Sequence, residues 1–502
     1  MARLLLGVDI GTGGCRIGFF SPDGALGGCF TSSYQTYRPH ENWAEQDPED
    51  WWAAFVDATR QALTTVPSAR EDILAIGCGG QTNGHVLVDA RGHTMGRSII
   101  WQDRRAMAEA EEVKARMASV DMVRFLGTRL PIDATTLPPR LLWLQRNEPE
   151  KVAKAGAVLQ PKDFINYRLT GVLATDYASC KTLIDLKSNE FHKEYFDLLG
   201  LERRLIPEAL PPYRTIGRIT TEAAAQTGLL AGTPVVAGTI DAWCNILGSG
   251  VVSNGLVSDV AGSSEVITVF SDSGPDTDRL NVIPSFDGYL LNGPTQAGGD
   301  SLRWLAENVL FNLTKEEESA KYDILSDLAS LSQAGANRLI FLPYLAGERA
   351  PLWDSDARGV LLGINKSHTL ADVSRSVFEG VAFSIRHVLE TAKGIGGPET
   401  RQIRVSGNGA RSRLWNKIKA DVTGLPVMVP SVLETGCLGA AMLAGIGNGV
   451  YSGYEDAASK TVLAGEEYEP DMEAHRTYDR AFGIYASIYP QLKTIFKALA
   501  GI

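Results

Sequence analysis

The first residues that could do chemistry lie in a glycine-rich turn between two apolar runs. Asp9 lies near the end of the first run, Thr12 stands between Gly11 and Gly13, and Arg16 begins the second run. Glycines let a backbone approach a phosphate closely, and a threonine hydroxyl can donate a hydrogen bond to it. A carboxylate at this position can hold the magnesium ion that accompanies a nucleotide. The alternative is a plain N-terminal hairpin with a glycine turn.

A second segment, residues 255–270, repeats this layout of strand, small-residue turn and strand. Its Gly262 and Ser263 stand where the first turn has a glycine and a threonine, whereas Val260 stands where the first has its acid. The hydroxyl recurs and the carboxylate does not. Two related hairpins about half a chain apart predict two similar domains that face one nucleotide, one of which supplies the metal carboxylate.

Asp241 follows an apolar run, residues 233–240, and precedes a helix-like segment. A carboxylate held at the end of a buried strand can accept a proton from a hydroxyl that attacks a γ-phosphate. The alternative is a helix N-cap aspartate, which the local sequence by itself favours.

Residues 405–412 predict a strand that ends in a glycine turn before a helix, with Gly407 and Gly409 in the turn. Missing side chains there would let a base and a ribose lie against the backbone. The segment does not fit Gly-x-Gly-x-x-Gly, and the chain contains no Walker A sequence, so Rossmann and P-loop folds lose support. A plain strand-to-helix turn is the alternative. The small residues at 434–441 predict a closely packed helix.

The bulk composition limits the class of protein. The chain has 502 residues, a net charge of −11 and no basic run, which argues against nucleic acid or an anionic membrane as partner. We expect no membrane span and no signal peptide, because apolar runs are short and the N-terminus enters a strand directly. Six scattered cysteines without Cys-x-x-Cys predict reduced thiols and a cytoplasmic location.

Strand-like and helix-like segments alternate through the first half, which predicts a layered α/β fold. In the second half, residues 372–391 show an apolar stripe at helical spacing. A last segment from about Met472 carries aromatic residues on one face, and we expect Pro490 to kink or interrupt that helix. The first-half predictions are strands at 73–78 and 86–89 and helices at 50–64 and 106–117.

The paired hairpins resemble those of the superfamily of sugar kinases, heat-shock chaperone ATPases and actin. Over essentially its whole length the chain is also similar to the FGGY carbohydrate kinases, because several motifs follow one another in the family's order. These are Asp9–Gly13, Trp43–Pro48, Trp101–Arg105, the Gly-Glu-Arg segment Leu342–Pro351, and Gly359–Ile364 followed by Asp372–Glu379.

The resemblance implies a fold of two similar, layered α/β domains of the ribonuclease H-like superfamily with an interdomain cleft. Residues 1–245 would form the sugar and phosphate side, and residues 246–502 the nucleotide side. It implies transfer of phosphate from ATP to a sugar hydroxyl, with Asp241 as catalytic base and Asp9 and Asp241 serving Mg²⁺. The implied ATP contacts are Gly11, Thr12, Gly13, Arg16, Gly262 and Ser263 for the phosphates and Gly407, Gly409 and Asn416 for the adenosine.

The sugar itself is less well defined by the resemblance. Xylulokinases carry Gln-Met-His-Gly where this chain has Gln81, Thr82, Asn83 and Gly84, and the Arg-Glu pair of glycerol kinases is also absent. We interpret His85 as a packed histidine at the start of a strand. The expected acceptor is a ketopentose such as xylulose, with gluconate, erythritol, glycerol or an autoinducer-like polyol as alternatives. The implied sugar contacts are Gln81, Thr82, Asn83, Trp101, Asp103 and Asp241.

A rival of another class is an ATP-regulated binding protein like the heat-shock chaperones. It would need a further peptide-binding region, whereas the tryptophan-rich first half of this chain resembles a sugar pocket. The family resemblance also suggests a homodimer.

Overall fold

The computed structural model describes residues 3–66, 69–310 and 315–501. The chain forms two compact units. The first comprises Met1–Val252 and Glu434–Leu463, and the second Ser253–Leu433 and Ala464–Ile502. Residues 434–463 therefore return to the first unit, and the single division at residue 245 stays a prediction.

The first unit is built on a seven-stranded mixed sheet, which is the layered α/β architecture that the alternation predicts. Its centre is the parallel pair Leu4–Ile10 and Ile73–Gly80. The strand Leu4–Ile10 also pairs antiparallel with Gly14–Phe20, which gives the predicted hairpin. The strand order is Thr215–Arg218, Pro234–Val236, Ile73–Gly80, Leu4–Ile10, Gly14–Phe20 and Leu26–Ser33, with Thr239–Ile240 also pairing with Ile73–Gly80.

The helix Thr435–Gly447 packs so closely on this sheet that there is no room for side chains between the two backbones. A Cβ on Gly7 would lie 1.8 Å from the Cys437 carbonyl oxygen, and one on Gly77 would lie 2.0 Å from that of Ala440. Glycine is therefore required where the sheet meets the helix. This confirms the close packing predicted for the small-residue stretch.

The other elements of the first unit surround this sheet. The short strand pairs are Glu45–Gln46 with Ser98–Ile99, Val86–Asp89 with Ala155–Leu159, and Ala174–Asp176 with Glu208–Leu210. The remaining α-helices are Pro48–Thr65, Ala69–Asp72, Met107–Met117, Val123–Leu126, Leu137–Asn147, Pro149–Lys154, Pro161–Thr170, Lys193–Leu199, Thr221–Thr227, Asp241–Gly248 and Tyr454–Thr461, and the 3₁₀ turns are Ala178–Cys180 and Arg203–Leu205.

The second unit has its own seven-stranded mixed sheet. The predicted second hairpin is its antiparallel pair Leu256–Ala261 and Glu265–Ser271. The strand order is Asn281–Ser285, Gly288–Pro294, Glu265–Ser271, Leu256–Ala261, Gln402–Ser406, Val427–Pro430 and Ala464–Tyr468, with Ile340–Leu342 and Val360–Leu362 as a separate pair. The helices are Gly299–Trp304, Lys315–Ser330, Leu370–Gly394, Arg413–Thr423 and Met472–Leu499, with a π-helical turn at Leu305–Leu310 and 3₁₀ turns at Ala336–Arg338 and Asn408–Arg411.

Two helices of this unit test the patterns read from the sequence. Leu370–Gly394 buries its apolar stripe and begins with a capping box, as the periodicity predicts. Met472–Leu499 runs through Pro490 without interruption, so the predicted interruption is wrong, whereas the kink stays a prediction. Its buried aromatic residues explain this result, because Tyr485 and Tyr489 anchor the helix on the core beside the proline. Tertiary packing here outweighs one lost backbone hydrogen bond.

Along the described ranges, no helix combines the length and the apolar character that crossing a membrane requires.

Candidate functional site

The first hairpin places an aspartate and an arginine next to each other. Asp9 lies directly opposite Arg16 in the strand register, and the turn closes with a 3.0 Å hydrogen bond from the Gly11 N–H to the Gly14 carbonyl. Asp9 is partly buried, whereas Arg16 is exposed. The hairpin thus places a carboxylate and a guanidinium next to a glycine turn, as the sequence predicts.

Three side chains hold the glycine turn in place. Gln46 Nε2 donates to the Thr12 carbonyl at 2.7 Å, and Trp101 Nε1 donates to the Thr12 hydroxyl at 2.9 Å. Gln81 Nε2 donates to the Gly11 carbonyl at 3.3 Å. Trp101 and Gln81, predicted to contact sugar, therefore fix the candidate phosphate loop as well. Gln46 was not singled out from the sequence, although it belongs to a motif that the resemblance uses.

Asp9 is enclosed by the small-residue helix. A Cβ on Gly436 would lie 3.1 Å from Asp9 Oδ2 and 3.5 Å from Asn245 Oδ1, and Thr435 donates to that amide oxygen at 2.8 Å. Burial raises the pKa of Asp9, and Arg16 partly offsets this effect. In the part of the chain that the structure describes, the buried Asp9 Oδ1 has no hydrogen-bond partner. An unpaired carboxylate oxygen beside a phosphate-type loop fits a divalent cation.

The second acid is Asp241. It is the first residue of the helix Asp241–Gly248, and the N-cap position is occupied by Ile240. The N-cap interpretation of Asp241 is therefore wrong. Its Oδ1 accepts a hydrogen bond from the Ala242 N–H at 2.7 Å, and the side chain stays partly exposed. The carboxyl is thus fixed at the start of a helix and is still accessible.

The surroundings of Asp241 tune its charge. Burial, and after it the nearby Asp9 carboxylate, raises the pKa of Asp241 to about 7. The N–H groups of Ala242 and Thr82 and the Lys181 ammonium act in the opposite direction. A raised pKa makes the carboxylate a better proton acceptor, which is a property that a general base needs.

A buried ionic network fixes the strand that leads to Asp241. Lys162 Nζ lies 2.5 Å from Asp163 Oδ1 and 3.0 Å from Asp176 Oδ1. Asp176 Oδ2 in turn accepts from the Thr239 hydroxyl at 2.7 Å. Since Thr239 lies two residues before Asp241, the network sets the position of the catalytic candidate.

The predicted sugar segment has partners that no sequence pattern revealed. Lys181 Nζ donates to the Thr82 hydroxyl at 3.1 Å. Asn83 has a left-handed backbone with φ of 55°, and its Nδ2 donates to the Thr135 hydroxyl at 3.2 Å. That hydroxyl donates to Asp133 Oδ1 at 2.6 Å. Lys181, Asp133 and Thr135 lie in irregular segments, and only the three-dimensional structure brings them to Thr82 and Asn83.

Two further residues of this region have structural roles. Asp103 is fully buried, accepts from the Ala44 N–H at 2.6 Å and pairs with Arg105 at 2.7 Å. Its contact with a sugar stays a prediction. His85 is 2% exposed, and its Nδ1 lies 3.0 Å from an Arg140 nitrogen, which confirms the interpretation as a packed histidine.

The second hairpin exposes Gly262 and Ser263 at its loop. The start of the helix that follows the sheet holds this loop through its carbonyl oxygens. Gly298 and Asp300 N–H groups donate to the Ser263 carbonyl at 2.8 and 3.0 Å, and the Gly299 N–H donates to the Gly262 carbonyl at 2.9 Å. Ser263 is an exposed residue, and its contact with a phosphate stays a prediction.

The predicted adenosine segment packs against the same hairpin. Gly407 has φ of 78°, and a Cβ there would lie 2.6 Å from the Ala261 carbonyl oxygen. A Cβ on Gly409 would lie 2.6 Å from the Ala261 side chain. Asn416 is fully buried and donates to the Ala410 carbonyl at 2.7 Å, so it fixes the glycine turn. Within the second unit, the structure therefore brings the predicted phosphate loop and the predicted adenosine segment together.

The Gly-Glu-Arg segment contributes a buried acid to the second unit. Glu348 Oε1 accepts from the N–H groups of Gln296 at 2.6 Å and Arg349 at 2.8 Å. Burial raises the pKa of Glu348 to about 8, although these N–H groups and the Arg349 charge oppose the rise. The sequence pattern identified this segment without indicating the buried state of its acid.

A mixed sheet in each unit, with a glycine hairpin that carries a hydroxyl residue, is the architecture of the superfamily of sugar kinases, heat-shock chaperones and actin. Comparison with models of protein families narrows this class further. The model of the FGGY family of carbohydrate kinases, N-terminal domain, matches residues 4–248, and that of the C-terminal domain matches residues 260–447. The chain belongs to the FGGY family of carbohydrate kinases, which are sugar phosphotransferases.

Relatives of this family match the chain from end to end. Xylulose kinase of Staphylococcus epidermidis is 29% identical, with 98% of each chain covered. Gluconokinase of Bacillus licheniformis is 27% identical, over 100% of this chain and 98% of the relative. The crystal structure of xylulose kinase from Rhodospirillum rubrum aligns with a TM-score of 0.87 at 30% identity, covering 99% of this chain and 100% of the other.

Proposed function

We propose that this enzyme transfers the γ-phosphate of ATP to a hydroxyl of a ketopentose such as xylulose. The observation that carries the proposal is the position of Asp241, whose carboxyl lies beside Thr82 and Lys181 and has a pKa of about 7. A carboxyl so placed can take a proton from a hydroxyl held at the sugar segment. The relatives named xylulose kinase support the ketopentose.

In the proposed reaction the sugar hydroxyl approaches the γ-phosphorus while Asp241 accepts its proton. The new oxygen–phosphorus bond forms as the bond to the ADP oxygen breaks, and the proton remains on the Asp241 carboxyl. Thr82, Asn83 and Lys181 hold the acceptor by hydrogen bonds, which places the reacting oxygen for in-line attack.

Magnesium fits the residues of the first unit. Asp9 supplies a buried carboxylate oxygen that has no partner among the described residues, and Asp241 supplies a second carboxylate. Mg²⁺ is commonly held by one or two carboxylates together with substrate phosphates and water. When bound with the nucleotide, it would neutralise charge on the phosphate oxygens. Thr12 and Arg16 add a hydroxyl donor and a positive charge at the same loop.

The second unit carries the nucleotide segments of the proposal. Ser263 presents a hydroxyl at an exposed loop, and Gly407 and Gly409 leave the backbone bare next to it. Asn416 acts on the nucleotide through the glycine turn that it holds.

A second acceptor class, the aldonates such as gluconate, is favoured by one observation. Lys181 places an ammonium group at the Thr82 hydroxyl, where it could pair with the carboxylate of a sugar acid. The relatives named gluconokinase agree with this alternative. Erythritol, glycerol and an autoinducer-like polyol have no such feature in their favour. A chaperone-like ATP-regulated binding protein is the remote alternative.

The experiment is ADP release over a panel of D-xylulose, L-xylulose, D-ribulose, gluconate, erythritol and glycerol. We expect the highest kcat/KM with a ketopentose. A preference for gluconate would support the aldonate alternative, and the absence of turnover with every acceptor would refute the proposed function.

Location and assembly belong to the same proposal. We propose a cytoplasmic enzyme, supported by six free thiols at Cys15, Cys29, Cys78, Cys180, Cys244 and Cys437. The homodimer suggested by the family resemblance stays a prediction, which light scattering of the purified protein would test.

A further inference from the structure

Arg140 is a fully buried arginine whose hydrogen bonds go mainly to backbone carbonyl groups. It lies on the helix Leu137–Asn147 of the first unit. Its nitrogens donate to the carbonyl oxygens of Asn83, of Ile99 at 3.0 Å, of Ile100 at 2.6 Å, of Asp103 at 3.4 Å and of Ala134 at 3.3 Å. One guanidinium thus reaches five separate points of the main chain.

These five carbonyls belong to the three segments that surround the proposed acceptor. Residues 83–85 contain Asn83, residues 99–103 contain Trp101, and residues 133–135 contain the Asp133–Thr135 pair. The three segments are far apart in sequence and are joined at a single side chain. The Asn83 backbone is left-handed, so a carbonyl contact there also fixes a turn that few side chains adopt.

His85 completes the arrangement. An arginine nitrogen is always a donor, so the 3.0 Å contact makes His85 Nδ1 the acceptor and puts the imidazole proton on Nε2. Burial, together with the Arg140 and Lys181 charges, lowers the pKa of His85 well below its usual range, which keeps the ring neutral. Through its contact with His85, the guanidinium is also connected to the residue that precedes the strand Val86–Asp89.

No other side chain could make these contacts. Guanidinium carries five N–H donors in a rigid planar fork, whereas a lysine ammonium has three donors on one atom. The Nη1 atom faces three acceptors, the Asn83 and Ile99 carbonyls and His85 Nδ1, so one of its two N–H groups is shared. Burial lowers the pKa of Arg140 to about 9, while the Asp103 and Asp133 charges oppose the decrease. Holding a cation here costs free energy, and the carbonyl contacts offset that cost.

We propose that Arg140 is a positioning residue that sets acceptor specificity, by fixing the spacing between Asn83, Trp101 and Thr135. This inference rests on the proposed function, in which those segments receive the sugar. Arg140 itself touches neither the acceptor nor the nucleotide. Without Arg140, the three segments would move relative to one another, and the enzyme would discriminate less strongly between acceptors.

The kinetic test compares Arg140→Met and Arg140→Lys with wild type, using the panel acceptor with the highest kcat/KM. We expect Arg140→Met to raise the acceptor KM at least about tenfold, and Arg140→Lys to raise it less, while the ATP KM changes less than about twofold. The ratio of kcat/KM between the best and second-best acceptor should fall in both variants. A purely structural role would lower the melting temperature and leave that ratio unchanged.

Arg204→Met is the control at a second arginine of the same unit, whose side chain is 47% exposed. Arg204 also donates to two backbone carbonyls, those of Ala155 at 2.6 Å and Val152 at 3.0 Å, in the same unit but in segments away from the acceptor. We expect Arg204→Met to leave the ratio of kcat/KM between the best and second-best acceptor as in wild type. An equal change in the two methionine variants would overturn the proposal.

Hydrogen exchange separates this inference from the proposed function. We expect residues 83–85, 99–103 and 133–135 to exchange faster in Arg140→Lys than in wild type, and not in Arg204→Lys. This holds even if no acceptor of the panel is turned over, a result that would refute the proposed function alone. If Arg140→Met does not fold, Arg140→Lys decides the question. Unchanged exchange in all three segments of Arg140→Lys would overturn the role of Arg140.

Discussion

Replacing Lys419 by methionine would remove the cation that pairs with two buried acids beneath the second hairpin. Lys419 Nζ lies 2.6 Å from Asp259 Oδ2 and 3.2 Å from Glu265 Oε2, and all three side chains are fully buried. Asp259 and Glu265 flank the loop that carries Gly262 and Ser263. The cluster therefore connects the helix Arg413–Thr423 to the candidate phosphate loop.

The magnitude follows from the charge that is left behind. Burial and the neighbouring Asp259 raise the pKa of Glu265 well above its usual range, and the Lys419 charge opposes this rise. Of its two acidic partners, Lys419 lies nearer to Asp259. Removing one partner of a buried ion pair costs about 3–5 kcal/mol. With a urea m-value of about 3 kcal/mol/M, the midpoint for the second unit should fall by about 1 to 2 M.

The assay is urea unfolding followed by tryptophan fluorescence, with hydrogen exchange of the strand Leu256–Ala261 to assign the transition to this unit. Trp415 is a local reporter, because its ring centre lies 4.5 Å from Lys419 Nζ. Lys417→Met is the matched control, since Lys417 is on the same helix and pairs with Asp421 at 2.5 Å with its side chain 41% exposed. That pair is worth about 0–1 kcal/mol.

The loss of stability in Lys419→Met should depend on pH. In wild type the Lys419 charge lowers the pKa of Glu265, so without it that folded-state pKa rises further above the unfolded value. The penalty is then present at high pH and disappears as acidification protonates the carboxylate. The difference from wild type should be larger at pH 8 than at pH 5, and Lys419→Met with Asp259→Asn should recover most of it. A loss below about 1 kcal/mol, or one that is equal at both pH values, would refute the ion-pair reasoning.

Three further substitutions test individual parts of the site. Asp9→Ala should raise the Mg²⁺ concentration for half-maximal rate at least about tenfold, and an unchanged magnesium titration would contradict its metal role. Lys181→Met should raise the acceptor KM about tenfold or more and leave the ATP KM unchanged in steady-state kinetics, because it removes a charged donor. A parallel increase of both KM values would contradict a role of Lys181 at the acceptor. Gly407→Ala places a methyl group 2.6 Å from the Ala261 carbonyl at a φ of 78°, so it should cost about 1–3 kcal/mol and weaken ATP binding in calorimetry. Gly394→Ala, whose methyl would meet nothing within 4 Å, should leave ATP binding intact, and equal effects of the two alanines would exclude the close-approach argument.

Local patterns were enough for the elements that carry the site. The hairpin with Asp9, its copy with Ser263 and the helix Leu370–Gly394 all follow from period, turn residues and caps. Only the interruption at Pro490 was predicted wrongly, because the aromatic packing of that helix depends on residues far away in sequence.

The supporting residues could not be found in the same way. Lys181 and Arg140 stand in segments without a distinctive pattern, and their partners lie 99 and up to 57 residues away. Lys419 could have been suspected, since Asp259 lies within one apolar strand, Glu265 begins the next, and buried acids need a partner. Which cation serves them is a property of the folded chain.

The most direct test of the account is Asp241→Asn with the acceptor that the panel identifies. The amide keeps the shape of the side chain and cannot accept the hydroxyl proton, so kcat should fall by about 10²–10⁴ while the Kd for ATP stays within about twofold. Asp197→Asn, at an acid with its side chain 62% exposed in the same unit, should retain full turnover. Near-normal turnover of Asp241→Asn would contradict the role of Asp241 as the base.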